Sequence, residues 1–190
     1  MRRLVRIAKA AAVFVAAMAA ADAPAAEPPL AGCYERVYDA AHLRQHPGQF
    51  VTRATLAVAP DKFPDAADRT NPVIASGVLK LWVGGRPQSF NSLGACWAEA
   101  QGLLCNGSSS AAEAAACKSA QDGVRQCRID GGDTGSFKIE GRPDGVMVSI
   151  RNRLELVPPP YDGGPFLYLS PTNPENHACL LTRKPPDACK

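Results

Sequence analysis

The chain has 190 residues, of which 46% are hydrophobic and 21% charged, with a formal net charge of +3. That is enough chain for one domain of ordinary size with its own core. Arg2, Arg3, Arg6 and Lys9 hold the basic excess, so the rest is near neutral, carries no basic stripe, and is a poor match for nucleic acid or an anionic membrane surface.

Behind the basic N-terminus, residues 10–21 form an uncharged apolar run, followed by the small-residue pattern Ala23-Pro24-Ala25. This is the layout of a secretory signal peptide. The run is shorter than the roughly 20 residues a membrane span requires. Cleavage after Ala25 divides the chain into a signal peptide, 1–25, and a mature domain, 26–190, with a periplasmic or secreted location and no transmembrane segment. Leu30-Ala31-Gly32-Cys33 has the local form of a lipoprotein box. Asp22, Pro24, Glu27, Pro28 and Pro29 separate it from the apolar run, and charged or helix-breaking residues do not carry a box to the bilayer edge. A soluble mature chain is therefore expected, with lipidation of Cys33 as the alternative.

In chain order, residues 33–38 read as a short strand, and Asp39 as the N-cap of a helical segment over 39–46, stopped by Pro47-Gly48. The β-branched stretch 50–58 suits a strand. Residues 78–85 alternate Leu79, Leu81 and Val83 against Val78, Lys80 and Trp82, ending in a Gly84-Gly85 turn. Residues 88–107 read as two strands turning near 100–102. A capping-box pattern at Ser110 and Glu113 opens a predicted helix over 110–121. From Cys127 onward, hairpins follow, with 146–157 as one strand and 166–169 and 178–182 as the last two; the tail reads as irregular. Short strands with Gly and Pro turns predict a mainly β fold: an antiparallel barrel or sandwich of about 7–9 strands with one inserted helix.

All seven cysteines lie in the exported part, where such a set reads as a disulfide framework. Cys96 and Cys105 flank a hairpin turn. Cys117 and Cys127 would tie the inserted helix to the sheet. Cys33 and Cys179 would seal the first strand to the last, leaving Cys189 over. In the rival scheme Cys33 is lipidated and the other six pair, with Cys179–Cys189 as the third bridge. Connectivity itself does not follow from spacing.

Cys33-Tyr34, Ala-His-Leu-Arg-Gln-His-Pro at 41–47, Cys96-Trp97 and Gly-Leu-Leu-Cys at 102–105 resemble a group of uncharacterised exported proteins of α-proteobacteria. The resemblance touches about half the chain. It implies export and a β-rich fold, and brings no activity with it.

His42 and His46, four apart, share one face of a helix. With His177 they are candidate ligands for Zn or Cu; the competing reading is that they solvate a short exposed helix. Leu43 stands where a zincin motif needs glutamate. Trp82 and Trp97 are a candidate stacking platform, or core. No nucleophile elbow is present. No catalytic residue and no other cofactor is assigned. The leading expectation is a non-enzymatic binding or interaction module, inhibitor-like or binding a cell-envelope ligand, with an unknown protein or envelope component as partner. The alternatives are a periplasmic metal binder and a secreted hydrolase whose site forms only in space.

Overall fold

A computed structural model describes residues 29–60, 72–108, 135–151, 153–159 and 166–190. The predicted signal peptide, the helix predicted at 110–121, Cys117 and Cys127 lie outside the described residues.

Eight strands close into an antiparallel barrel in the order β1-β10-β7-β6-β5-β4-β3-β2. They are β1 (Gly32–Val37), β2 (Val51–Pro60), β3 (Ala75–Val83), β4 (Ser89–Glu99), β5 (Gly102–Ser108), β6 (Ser136–Arg142), β7 (Gly145–Ile150) and β10 (Ala178–Lys184). The path is an up-and-down meander in which the last strand returns beside the first. Two further strands, β8 (Leu154–Leu156) and β9 (Leu167–Leu169), form a separate ribbon. The stretch read as one strand from 146 to 157 is thus two: β7 ends at Ile150, and β8 begins at Leu154 in the separate ribbon.

Period-two alternation decides what fills the bore. In β3, Ala75, Leu79, Leu81 and Val83 are buried, while Val78, Lys80 and Trp82 face outward and are partly exposed. Tyr34, Leu56, Phe90, Leu103, Phe137, Ile139, Val146 and Leu181 join them, and the ribbon adds Leu154, Leu156 and Leu169 to the same cluster. Val157 completes the wall: it pairs with Asn91 in both directions, 2.8 and 3.0 Å, along the part of β4 that β5 does not reach.

The Cys96–Cys105 bridge forms as expected, between directly opposed residues of β4 and β5. Both cysteines are fully buried in the core cluster. A side chain at Gly77 would begin 3.1 Å from Cys96 Sγ and 3.4 Å from Cys105 Sγ. Glycine therefore makes room for the sulfurs inside the barrel.

The second bridge differs from expectation. β1 and β10 are neighbours, but the antiparallel register sets Cys33 opposite Lys184, five residues beyond Cys179. Cys33 pairs instead with Cys189, and Cys179 is the free thiol among the described residues. The tail is not irregular: Pro186–Cys189 form a 3-10 turn that Pro186 opens at its first position. Lys80 Nζ donates to the Cys189 carbonyl at 3.2 Å, holding the turn over the outside of the barrel. The box around Cys33 has a structural role too. Tyr34 Oη donates to the Leu30 carbonyl at 3.0 Å, and Arg183 Nη2 donates to the Ala31 carbonyl at 2.7 Å. A thioether-linked lipid would need the Cys33 sulfur that the bridge occupies.

Candidate functional site

Polar side chains gather at the end of the barrel where β1 stops and β10 starts. Helix α1 (Ala40–Gln45) follows β1 there, and its predicted cap is present: Asp39 Oδ1 accepts from His42 N at 2.7 Å. The bond to this amide, which strengthens as the carboxylate charges, holds the Asp39 carboxyl below its usual range. The helix carries His42 but ends at Gln45, one residue short of His46. His46 is its C-cap, with non-helical backbone angles, and its ring still stacks on that of His42 with centroids 4.3 Å apart. Tyr38 continues the row, its ring 4.9 Å from that of His42.

Across from α1 runs the loop between β9 and β10, which is built on Asn173. Its Oδ1 accepts from Glu175 N at 3.1 Å and Asn176 N at 3.2 Å, an Asx-type turn. Asn176 is buried and reaches over to the segment after α1. Its Oδ1 accepts from Phe50 N and Val51 N, at 3.2 and 3.3 Å, and its Nδ2 donates to the Gly48 carbonyl at 2.9 Å. The loop thereby sets Glu175 beside α1, with Oε1 4.0 Å from His46 Nδ1. Gly48 leaves the space the carboxylate occupies, since a Cβ there would collide with Glu175 Oε2.

His177 is engaged differently. Its Nδ1 lies 2.8 Å from the Asn173 carbonyl. A carbonyl only accepts, so Nδ1 carries the proton and Nε2 holds the free lone pair of the neutral ring. His177 lines a small cavity of about 20 Å³ with Tyr38, Gln49, Asn176 and Cys179 over an apolar floor, room for about one water molecule. Thus His42 and His46 come together, with Glu175 beside His46, while His177 turns to the cavity. Among the described residues no three His, Cys, Asp or Glu side chains are already gathered as a metal site.

No family model, no curated protein and no solved structure matches the chain. What this end of the barrel can do is therefore read from its own groups. Burial pushes the Cys179 thiol up to about 12, so at neutral pH it is a neutral thiol and not a nucleophile. Burial, followed by the neighbouring Cys179, also raises the Tyr38 phenol, against a hydrogen bond from Gln49. The thiol stabilises the fold while it stays neutral, below the ordinary cysteine value, and that contribution is lost as pH rises toward about 12. Alkylation of the native protein at pH 8, mapped by peptide mass, is accordingly expected to modify Cys179 at least ~100-fold more slowly than in urea; equal rates would place the thiol in water.

The other aromatic candidates are structural. The Trp82 ring lies on the outer wall under the Arg53 guanidinium, 4.4 Å from its centroid, and Arg53 pairs with Glu35 at 2.7 Å. Trp97 is also partly exposed, across from Leu104 on β5. They sit on different strands in no shared pairing, β3 Trp82 opposite Ser89 and β4 Trp97 opposite Leu104. Sequence reasoning missed the outer face of the ribbon. Glu155 and Tyr168 are opposed there, the Phe166 ring lies 6.4 Å from Tyr168, and the Arg153 guanidinium covers Tyr168 at 4.9 Å. Alternating Phe166 and Tyr168 against Leu167 and Leu169 was the available signal.

Proposed function

We propose that the protein is a non-enzymatic interaction module of the periplasm or extracellular space that engages a protein partner through the outer face of the β8–β9 ribbon. The observation that carries the reading is the exposure of Phe166 and Tyr168, 43% and 47%, beside Arg153. Aromatic rings and arginine are the side chains that dominate binding energy at protein interfaces. The bore supports it: an up-and-down barrel of this size holds a small ligand only when its interior is left open, and here side chains fill it. Two disulfides agree with an oxidising compartment. No helix among the described residues is long and apolar enough to cross a membrane. The signal-peptide pattern of residues 1–25 and the resemblance to exported α-proteobacterial proteins point to the same location.

A photoreactive phenylalanine analogue at position 166, in protein expressed in its native envelope, is expected to give a discrete cross-linked adduct. The same probe at Ala98, exposed on β4, is expected to give none. No adduct from position 166, or the same products from both positions, would overturn the assignment.

A further inference from the structure

The row of groups along α1 supports a reading independent of the ribbon. We infer that His42, His46 and Glu175 form a binding site for a divalent transition metal of the Zn²⁺ type, with Glu175 as the carboxylate ligand in place of His177.

Three observations carry the inference. The first is proximity. The 4.0 Å between His46 Nδ1 and Glu175 Oε1 is too long for a hydrogen bond. It is within the span of two metal–ligand bonds of about 2.0–2.2 Å each. The second is the state of the carboxylate. Glu175 Oε2 is out of water with no hydrogen-bond partner, although a buried carboxylate oxygen costs free energy until a cation or donor meets it. The Asx turn of Asn173 and the bracket of Asn176 hold its backbone, and Gly48 gives it room, so the position is imposed by the loop. The third is the imidazole pair. His42 and His46 stack at 4.3 Å with 28° between their planes, which sets two imidazoles side by side at the C-terminal end of α1.

Stacked rings direct their lone pairs along nearly parallel lines, whereas ligands must converge on the ion. Binding therefore requires the two rings to rotate out of the stack. Rotation is inexpensive here, because neither His42, on α1, nor His46, its C-cap, is buried and the His46 side chain is 45% exposed. Two imidazoles and one carboxylate leave a fourth position to water. Nitrogen donors select Zn²⁺ or Cu²⁺ over Ca²⁺ and Mg²⁺, which take oxygen shells. His177 is set apart by its place in the cavity wall and its bond to the Asn173 carbonyl.

The test uses tag-free protein with its disulfides intact, stripped of metal and titrated with Zn²⁺ against a chromophoric chelator. Wild type is expected to bind one ion. His42→Ala and Glu175→Gln are each expected to weaken binding by at least ~10-fold, and His177→Ala to leave it unchanged. Melting curves in chelator keep the comparison to folded protein, and the His42 and His46 ring resonances should move apart from their stacked values on adding Zn²⁺. Binding no tighter than that of the His42→Ala, His46→Ala double variant would overturn the site. An unchanged affinity for Glu175→Gln, or a loss with His177→Ala, would overturn the assignment of the third ligand.

Discussion

Replacing Cys33 and Cys189 together by alanine is expected to lower stability by about 3–5 kcal/mol, which is about 10–15 °C in melting temperature for a chain of this size. The bridge spans a sequence separation of 156. Freeing a loop of that length returns chain entropy to the unfolded state worth about 5 kcal/mol in the loop-closure model, and measured values fall at or below it. Loss of contacts adds to this. The 3-10 turn of Pro186–Cys189 would no longer be pinned over the outer wall, where Cys33 and Thr55 are now 4% and 1% exposed, and Lys80 would lose its carbonyl partner. The variant keeps every inward side chain of the barrel, so it should still fold. Thermal melts followed by circular dichroism check the result; a loss under about 1 kcal/mol would mean that the tail restrains nothing.

That bridge also marks where the sequence stops being legible. Strand identity and the inward face followed from local alternation in 78–83 and 136–140, and the Cys96–Cys105 pairing from one hairpin, whose register is set within nine residues. The partner of Cys33 depends on how β10 slides against β1 after the whole meander has closed. Nothing near Cys179 or Cys189 encodes that offset. Proximity of first and last strands was inferable; which cysteine reaches Cys33 was not. The ribbon was missed for a different reason. Both halves of 146–157 are apolar at alternate positions, and only the polar triplet Arg151-Asn152-Arg153 separates them.

The candidate site divides the same way. The i,i+4 spacing of His42 and His46, with the cap at Asp39, was enough to place two imidazoles side by side, although His46 falls just past the end of α1 as its C-cap. Glu175 lies more than 120 residues away in a loop with no periodic pattern. The only local signal for its position was Asn173-Pro174, a turn-initiating pair, and a turn signal says nothing about which distant element the turn will face. The bond network of Asn176 supplies that information, because one buried amide fixes two segments at once.

Asn176→Leu is expected to cost about 2–4 kcal/mol, out of proportion to a loop residue. The volume is nearly kept, so the loss is one of hydrogen bonds. Oδ1 accepts from Phe50 N and Val51 N together, and Nδ2 satisfies the Gly48 carbonyl. Leucine would strip these backbone groups of their partner at the mouth of the barrel, and each buried one left unsatisfied costs about 1–3 kcal/mol. Asn176→Asp separates this account from one based on packing. At neutral pH its carboxylate would still accept from the two amides but would face the Gly48 carbonyl and Asn173 Oδ1, both acceptors, where the amide now donates. The protonated acid can donate there, so its pKa in the folded protein should be raised above the unfolded value of about 3.9. A raised acid contributes stability that is present at pH below the unfolded value and lost as pH rises through the folded one. Asn176→Asp should therefore be closest to wild type near pH 4 and fall behind it toward pH 7, while the deficit of Asn176→Leu stays constant with pH. Urea unfolding of the three proteins at both pH values distinguishes the cases; parallel behaviour of the two variants would mean that the amide fills space and does not bracket the loops.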